Sequence, residues 1–106
     1  MKRLFVETNE FQVRWKSLGM SEDDLQLLQN YLLEHPEAGP MIQDTGGVRK
    51  LRWARSGRGK SGSLRIIYID FITRAAIWLI TAFGKDEKMD LSQDEKKTIK
   101  TFVKSL

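Results

Sequence analysis

LRIIYIDFITRAAIWLITAF, residues 64–83, contains two apolar runs separated by Ile72-Thr73-Arg74. Leu64 to Phe71 is apolar at nearly every position after Arg65, the composition of a central strand covered on both faces. Ala75 to Phe83 repeats that composition, so the two runs are expected to pair as a β-hairpin about Ile72–Arg74. Upstream, Val48 to Ala54 alternates, which places Leu51 and Trp53 on one face of a strand and Lys50 and Arg52 on the other. Lys2 to Glu7 reads as a further short strand, with Leu4 and Val6 sharing a face.

Helical signals fill the remainder. Thr8 or Asn9 can cap a helix in which Phe11, Trp15 and Leu18 recur at helical spacing, with Gly19 as its left-handed stop. Ser21 and Asp24 resemble a capping box, and Glu22, Asp23 and Asp24 suit the positive end of a second helix. Leu25, Leu28 and Leu32 form its buried stripe, with Leu27 and Tyr31 beside it, and Pro36 ends it. Residues 34–47 hold two prolines, three glycines and little periodicity, which reads as a long connection of the kind that carries function. Ser92 and Glu95 form a second capping box before a last helix with Ile99, Phe102, Val103 and Leu106 buried. Lys96, Lys97, Lys100 and Lys104 form its solvated face. The order β-α-α-β-β-β-α implies an α+β fold: a mostly antiparallel sheet packed against two N-terminal helices and a C-terminal helix.

At 106 residues, 41% hydrophobic and 30% charged, the chain is sized for one globular domain spanning residues 1–106. No apolar run approaches the roughly 18 to 20 residues of a membrane span, and the N-terminus lacks a signal-peptide core, so a cytoplasmic protein without membrane contact is expected. Zero cysteines remove disulfides, thiolate-bound zinc and a thiol nucleophile, while a single histidine, His35, disfavours a histidine metal site. No metal or other cofactor is expected. Asp86, Glu87 and Asp90 match no calcium loop and suit capping and solvation.

The net charge of +4 is unevenly distributed. Residues 1–44 carry four basic and eight acidic side chains, whereas residues 45–69 carry seven basic and none acidic. Arg49, Lys50, Arg52, Arg55, Arg58, Lys60 and Arg65 interleave with Trp53 and Tyr68, the pattern of a patch that attracts a polyanion. An idle surface mixes both signs. The Gly/Ser-rich segment 56–63 adds Arg58 and Lys60, and its glycines permit backbone N–H groups to approach an anion, although it matches no Walker pattern.

Cleavage of RNA by its own 2′-hydroxyl requires a base, cations for the phosphorane charge, and an acid for the leaving 5′ oxygen. Two histidines are absent, and His35 is placed for a helix end. Arginine suits transition-state charge, and a lysine crowded by cations can have its pKa lowered, so Arg65 and Lys60 best fit these roles.

The series Pro36, Gly39, Ile42, Thr45-Gly46-Gly47, Arg49-Lys50, Arg52, Gly57, Gly59-Lys60, Gly62, Arg65 and Tyr68 resembles the RelE superfamily of toxins, in its HigB-like branch. The similarity continues through Phe83-Gly84-Lys85 and Asp90-Leu91-Ser92 and covers essentially the whole chain. It implies a RelE-like fold and the toxin of a type II toxin–antitoxin module, a ribosome-dependent mRNA endonuclease. It also implies a helix-turn-helix antitoxin as partner, with operator DNA reached only through that antitoxin. By position, Arg65 corresponds to a phosphate-stabilising arginine, and Lys60 and Lys85 to proton-transfer or electrostatic lysines. Arg49, Lys50, Arg52, Arg55 and Arg58 correspond to residues that hold RNA. Many members carry tyrosine where this chain has Phe83, whose ring can stack on a base but cannot transfer a proton, and Ser63 replaces a common glycine. Two other functions fit the same features: a non-catalytic RNA- or ribosome-binding module, and a ParE-like poison of DNA gyrase.

Overall fold

The structure, a computed structural model, describes residues 3–54 and 63–106. Its elements are β1 (Leu4–Glu7), α1 (Asn9–Ser17), α2 (Glu22–Glu34), β2 (Arg49–Ala54), β3 (Ser63–Phe71), β4 (Ala76–Gly84) and α3 (Gln93–Lys104), with a 3-10 turn at Ile72–Arg74. The strands form one sheet in the order β1-β4-β3-β2. β2–β3 and β3–β4 are antiparallel, and β1 joins β4 in parallel, so the mostly antiparallel α+β architecture expected from the element order is present with one parallel pair.

Alternation along the strands divides the apolar residues between two cores. Leu64, Ile66 and Tyr68 of β3, with Leu51, Ile77, Leu79 and Ala82, meet Phe11, Trp15, Leu25, Leu28 and Leu32 of α1 and α2. On the opposite face Val48, Ile67, Ile69, Ile80 and Phe83 meet Leu91 and the Ile99 and Val103 stripe of α3. Full burial of a side chain such as Leu28 contributes about 1.5–3 kcal/mol.

Local chemistry sets the ends of the helices. The Thr8 hydroxyl caps α1 by accepting from the Phe11 N–H at 3.0 Å, and it donates to the Ile80 carbonyl of β4. Gly19, at φ 77°, turns the chain after α1, and the Trp15 indole N–H donates to the Ser21 carbonyl at 3.0 Å to fix the turn. Both capping boxes, Ser21 with Asp24 and Ser92 with Glu95, are formed reciprocally. Leu25, Leu28 and Leu32 form the buried stripe of α2, and beside it Leu27 and Tyr31 are exposed, the Tyr31 ring lying 5.4 Å from that of Trp53 in β2.

Two irregularities of the sheet shape its basic end. Ile67 faces Thr81 while Tyr68 faces Leu79, so Ile80 is an extra residue in β4, a β-bulge. Along the outer side of β2, Met41 bridges Arg49, the Ile42 N–H donates to the Val48 carbonyl at 2.8 Å, and the Lys50 N–H donates to the Pro40 carbonyl at 3.1 Å. The chain between α2 and β2 therefore lies against the edge of the sheet.

Candidate nucleic-acid interface

Register brings three of the sequence-selected residues into one row. Arg52 of β2 pairs with Arg65 of β3, and Arg65 pairs with Phe83 of β4, all on the face shared with α3. Two like charges directly opposite on neighbouring strands destabilise a sheet. Arg65 adds to that cost: it is only 9% exposed, and its Nη1 is buried with no hydrogen-bond partner among the described residues. A buried donor without an acceptor costs about 1–3 kcal/mol, and more when charged.

A cleft of about 340 Å³ opens beside this row, with Ala38, Gly39 and Pro40 on one side, Lys50, Leu51 and Arg52 of β2 on the other, and Arg65 also lining it. Lys50 shares the sheet face of Arg52 and forms an ion pair with Asp90 from the loop after β4. That lysine hydrogen bond holds the Asp90 carboxyl below the usual carboxylate range, with the charges of Lys50, Lys96 and Arg65 adding to the effect. The loop is braced at its other end. Glu87 accepts from the Gly84 N–H at 2.9 Å and pairs with Arg14, whose Nε donates to the Ala82 carbonyl at 3.0 Å. Gly84 is the first cause, and Arg14 a further one, of the lowered Glu87 pKa. Both contacts are therefore intact at neutral pH and are lost only as pH falls through the depressed values.

The other sequence-selected residues are placed differently. Arg49 lies on the α1/α2 face, and its guanidinium donates to the Gly39 carbonyl at 2.8 Å and the Glu37 carbonyl at 3.5 Å. Phe83 is not the accessible stacking ring expected from sequence: it is 2% exposed, packed in the α3 core, with the Lys88 ammonium 4.9 Å from its ring centroid. The Ile80 bulge causes this, because it shifts the alternation of β4 and turns Phe83 toward α3. Lys85 is exposed two positions beyond the Arg65–Phe83 pair, and its N–H donates to the Ser63 carbonyl at 3.2 Å. Arg55, Arg58 and Lys60, with the glycines of that segment, lie outside the described residues; Ala54 and Ser63 on either side are paired. His35 caps the end of α2, with its ring 4.8 Å from that of Tyr31.

Sequence reasoning missed Lys88, which covers Phe83 and pairs with Glu95. It placed Tyr68 only among the aromatics of the basic patch, whereas the Tyr68 hydroxyl bonds the Pro36 carbonyl and the Gly39 N–H beside the cleft. A lysine in a charged loop carries no distinguishing signal. Tyr68, by contrast, could have been suspected as a lone hydroxyl within an apolar strand.

The site therefore lies at one end of a mixed sheet covered by helices on both faces, around the nearly buried Arg65. The fold matches a free-state structure of E. coli toxin RelE carrying two arginine-to-alanine substitutions, with a TM-score of 0.57, 16% identity, and coverage of 83% of this chain and 88% of that one. It also matches the intact E. coli RelBE toxin–antitoxin complex, with a TM-score of 0.55, 20% identity, and coverage of 84% and 99%. The family model described as the RelE toxin of the RelE/RelB toxin–antitoxin system matches residues 7–106, and the chain belongs to that family.

Proposed function

We propose that this toxin cuts messenger RNA in the ribosomal A site and is held inactive by a helix-turn-helix antitoxin, within the HigB-like branch of its family and in the cytoplasm. The observation that carries this reading is Arg65: a nearly buried guanidinium whose Nη1 has no acceptor among the described residues, set beside a cationic cleft. A phosphodiester oxygen supplies the missing acceptor, and the charge that grows on that oxygen in the phosphorane strengthens the contact.

In the reaction the 2′ oxygen forms a bond to phosphorus and the bond from phosphorus to the 5′ oxygen breaks. The products are a 2′,3′-cyclic phosphate and a free 5′-hydroxyl. One proton leaves the 2′-hydroxyl and one reaches the departing oxygen; Lys60 and Lys85 are assigned to these transfers or to electrostatic support. Lys50, Arg52, Arg55 and Arg58 contact flanking phosphates. Phe83, buried and lacking a hydroxyl, supports Arg65 and Lys88 from beneath instead of stacking on a base. With so few acid–base groups, much of the acceleration falls to geometry imposed on the message by the ribosome.

Single-turnover cleavage on programmed ribosomes tests this reading. Wild-type protein should cut bound message far faster than naked RNA, and a folded Arg65→Ala variant should lose about 100-fold or more. Lys60→Arg should lose nearly as much as Lys60→Ala if that lysine moves a proton, because arginine keeps its own at neutral pH. Translation arrest without cuts would favour the non-catalytic binder, and DNA damage would favour a gyrase poison. Normal growth of cells containing the soluble, full-length chain would count against any toxin reading.

A further inference from the structure

We propose that Tyr68 and Arg49 are positioning residues that hold residues 36–40 in place, so that Ala38, Gly39 and Pro40 form the outer wall of the RNA cleft, and that Arg49 acts by bracing this backbone and does not contact phosphate. The proposal rests on the reading of the cleft as an RNA site.

Tyr68 is fully buried in the α1/α2 core, yet both functions of its hydroxyl are used by the wall. It donates to the Pro36 carbonyl at 2.9 Å and accepts from the Gly39 N–H at 3.2 Å. Burial raises the phenol pKa, so the proton it donates stays in place across the working pH range. From β2, Arg49 Nη1 reaches the Gly39 and Glu37 carbonyls, and the Lys50 N–H holds the Pro40 carbonyl. The carbonyls of residues 36, 37, 39 and 40 and the N–H of residue 39 are thereby tied. Gly39 completes the fit, since a Cβ there would lie 2.5 Å from the Lys50 carbonyl oxygen, a backbone atom with little room to move.

The consequence for the cleft follows from the geometry of the sheet. Arg49 shares a face with Leu51 and Trp53, whereas Arg52 and Arg65 project from the other side of the same two strands. A cation directed at two carbonyls on the far face is poorly placed to meet a phosphate in the cleft. The wall it braces nevertheless sets the cleft's width, and a displacement of about 1 Å at a reacting group can change rates by 100-fold.

Three readouts test the proposal. The first is the salt dependence of binding to a single-stranded oligoribonucleotide, in which each phosphate contact contributes about 0.7 to the slope of log affinity against log salt. Arg52→Ala should lower the slope by about that amount, while Arg49→Ala and Tyr68→Phe should leave it unchanged. The second is the single-turnover rate on saturated ribosomes, corrected for the folded fraction, which should fall by about 10- to 100-fold in both Arg49→Ala and Tyr68→Phe. The third is exchange of the Gly39 amide, which should accelerate in Tyr68→Phe while core amides stay protected. A slope lowered by about 0.7 in Arg49→Ala would make that residue a phosphate contact and overturn the proposal. A wild-type cleavage rate in Tyr68→Phe would overturn it equally. Salt-independent binding by the wild type would instead count against the RNA reading itself, and the Gly39 exchange result separates the two failures.

Discussion

The two faces of the sheet are built from the same strands by the same alternation, yet they end differently. Toward α1 and α2, Leu51, Leu64, Ile66, Tyr68 and Leu79 form a closed apolar surface. Toward α3, the rows through Ile67, Ile69 and Ile80 are just as apolar, but the last one replaces hydrocarbon with Arg52 and Arg65. Arg65 occupies a position nearly as buried as its neighbours, and nothing among the described residues accepts from its Nη1. One face is thus optimised for folding, while the end of the other keeps an arrangement that works against folding. A site that depends on an anion from outside has this form.

That contrast can be broken by exchanging what each face does. The largest effect is expected from Leu28→Ala, which opens a cavity in the α1/α2 core and should cost about 2–5 kcal/mol in urea denaturation, with cleavage by the remaining folded protein intact. Next, Arg65→Met should reverse the pattern. Removing a poorly satisfied buried cation should leave stability equal or higher by about 1–4 kcal/mol, while ribosomal cleavage falls about 100-fold or more. A destabilised Arg65→Met protein would show that the guanidinium serves packing and would erase the distinction between the faces.

Phe83 sharpens the comparison because it belongs to both the α3 core and the row that carries Arg65. Phe83→Ala should cost about 3–5 kcal/mol as a core deletion if the ring is structural. If it stacks on a base, the loss should instead appear as weaker RNA binding by roughly 1–3 kcal/mol with stability nearly unchanged. The smallest effect belongs to Ala75, which holds φ 50° at the turn between β3 and β4, at the opposite end of β3 from Arg65. Ala75→Gly relieves left-handed strain and should raise stability slightly, by about 1 kcal/mol or less in urea denaturation, without altering cleavage.

How much of the molecule is legible in its sequence depends on the range of the interactions. Caps at Ser21 and Ser92, the stop at Gly19 and the β3–β4 hairpin are local, and the sequence displays them directly. The parallel pairing of β1 with β4 joins segments far apart in the chain, Leu4 with Ala76 among them, which no periodicity reports. The face taken by Phe83 is equally hidden, since a single bulged residue at Ile80 shifts the alternation without altering composition. For the site, clustering of cations singles out Lys50, Arg52 and Arg65, which the structure brings to one cleft. The same clustering cannot set Arg49 apart, because the carbonyls that engage it arrive from the preceding loop, 10 and 12 residues away.

Pro40 has a consequence for the protein in a crowded cell. Residues 40–42 begin to run along β2 as a fifth strand would, through the Met41–Arg49 bridge and the bonds of Ile42 and Lys50. A proline has no N–H to continue a ladder, and Gly39 is already tight against the Lys50 carbonyl, so the sheet stops growing there. Beyond that point the outward backbone groups of β2 belong to Arg52 and Ala54 and form an edge unpaired among the described residues, the kind of template on which another chain can add a strand. Proline and a charged side chain are the residues that discourage such growth. A second copy added antiparallel in the register centred on Arg52 would set two like charges against each other. The same features that shape the cleft therefore also guard the molecule against self-assembly into aggregates.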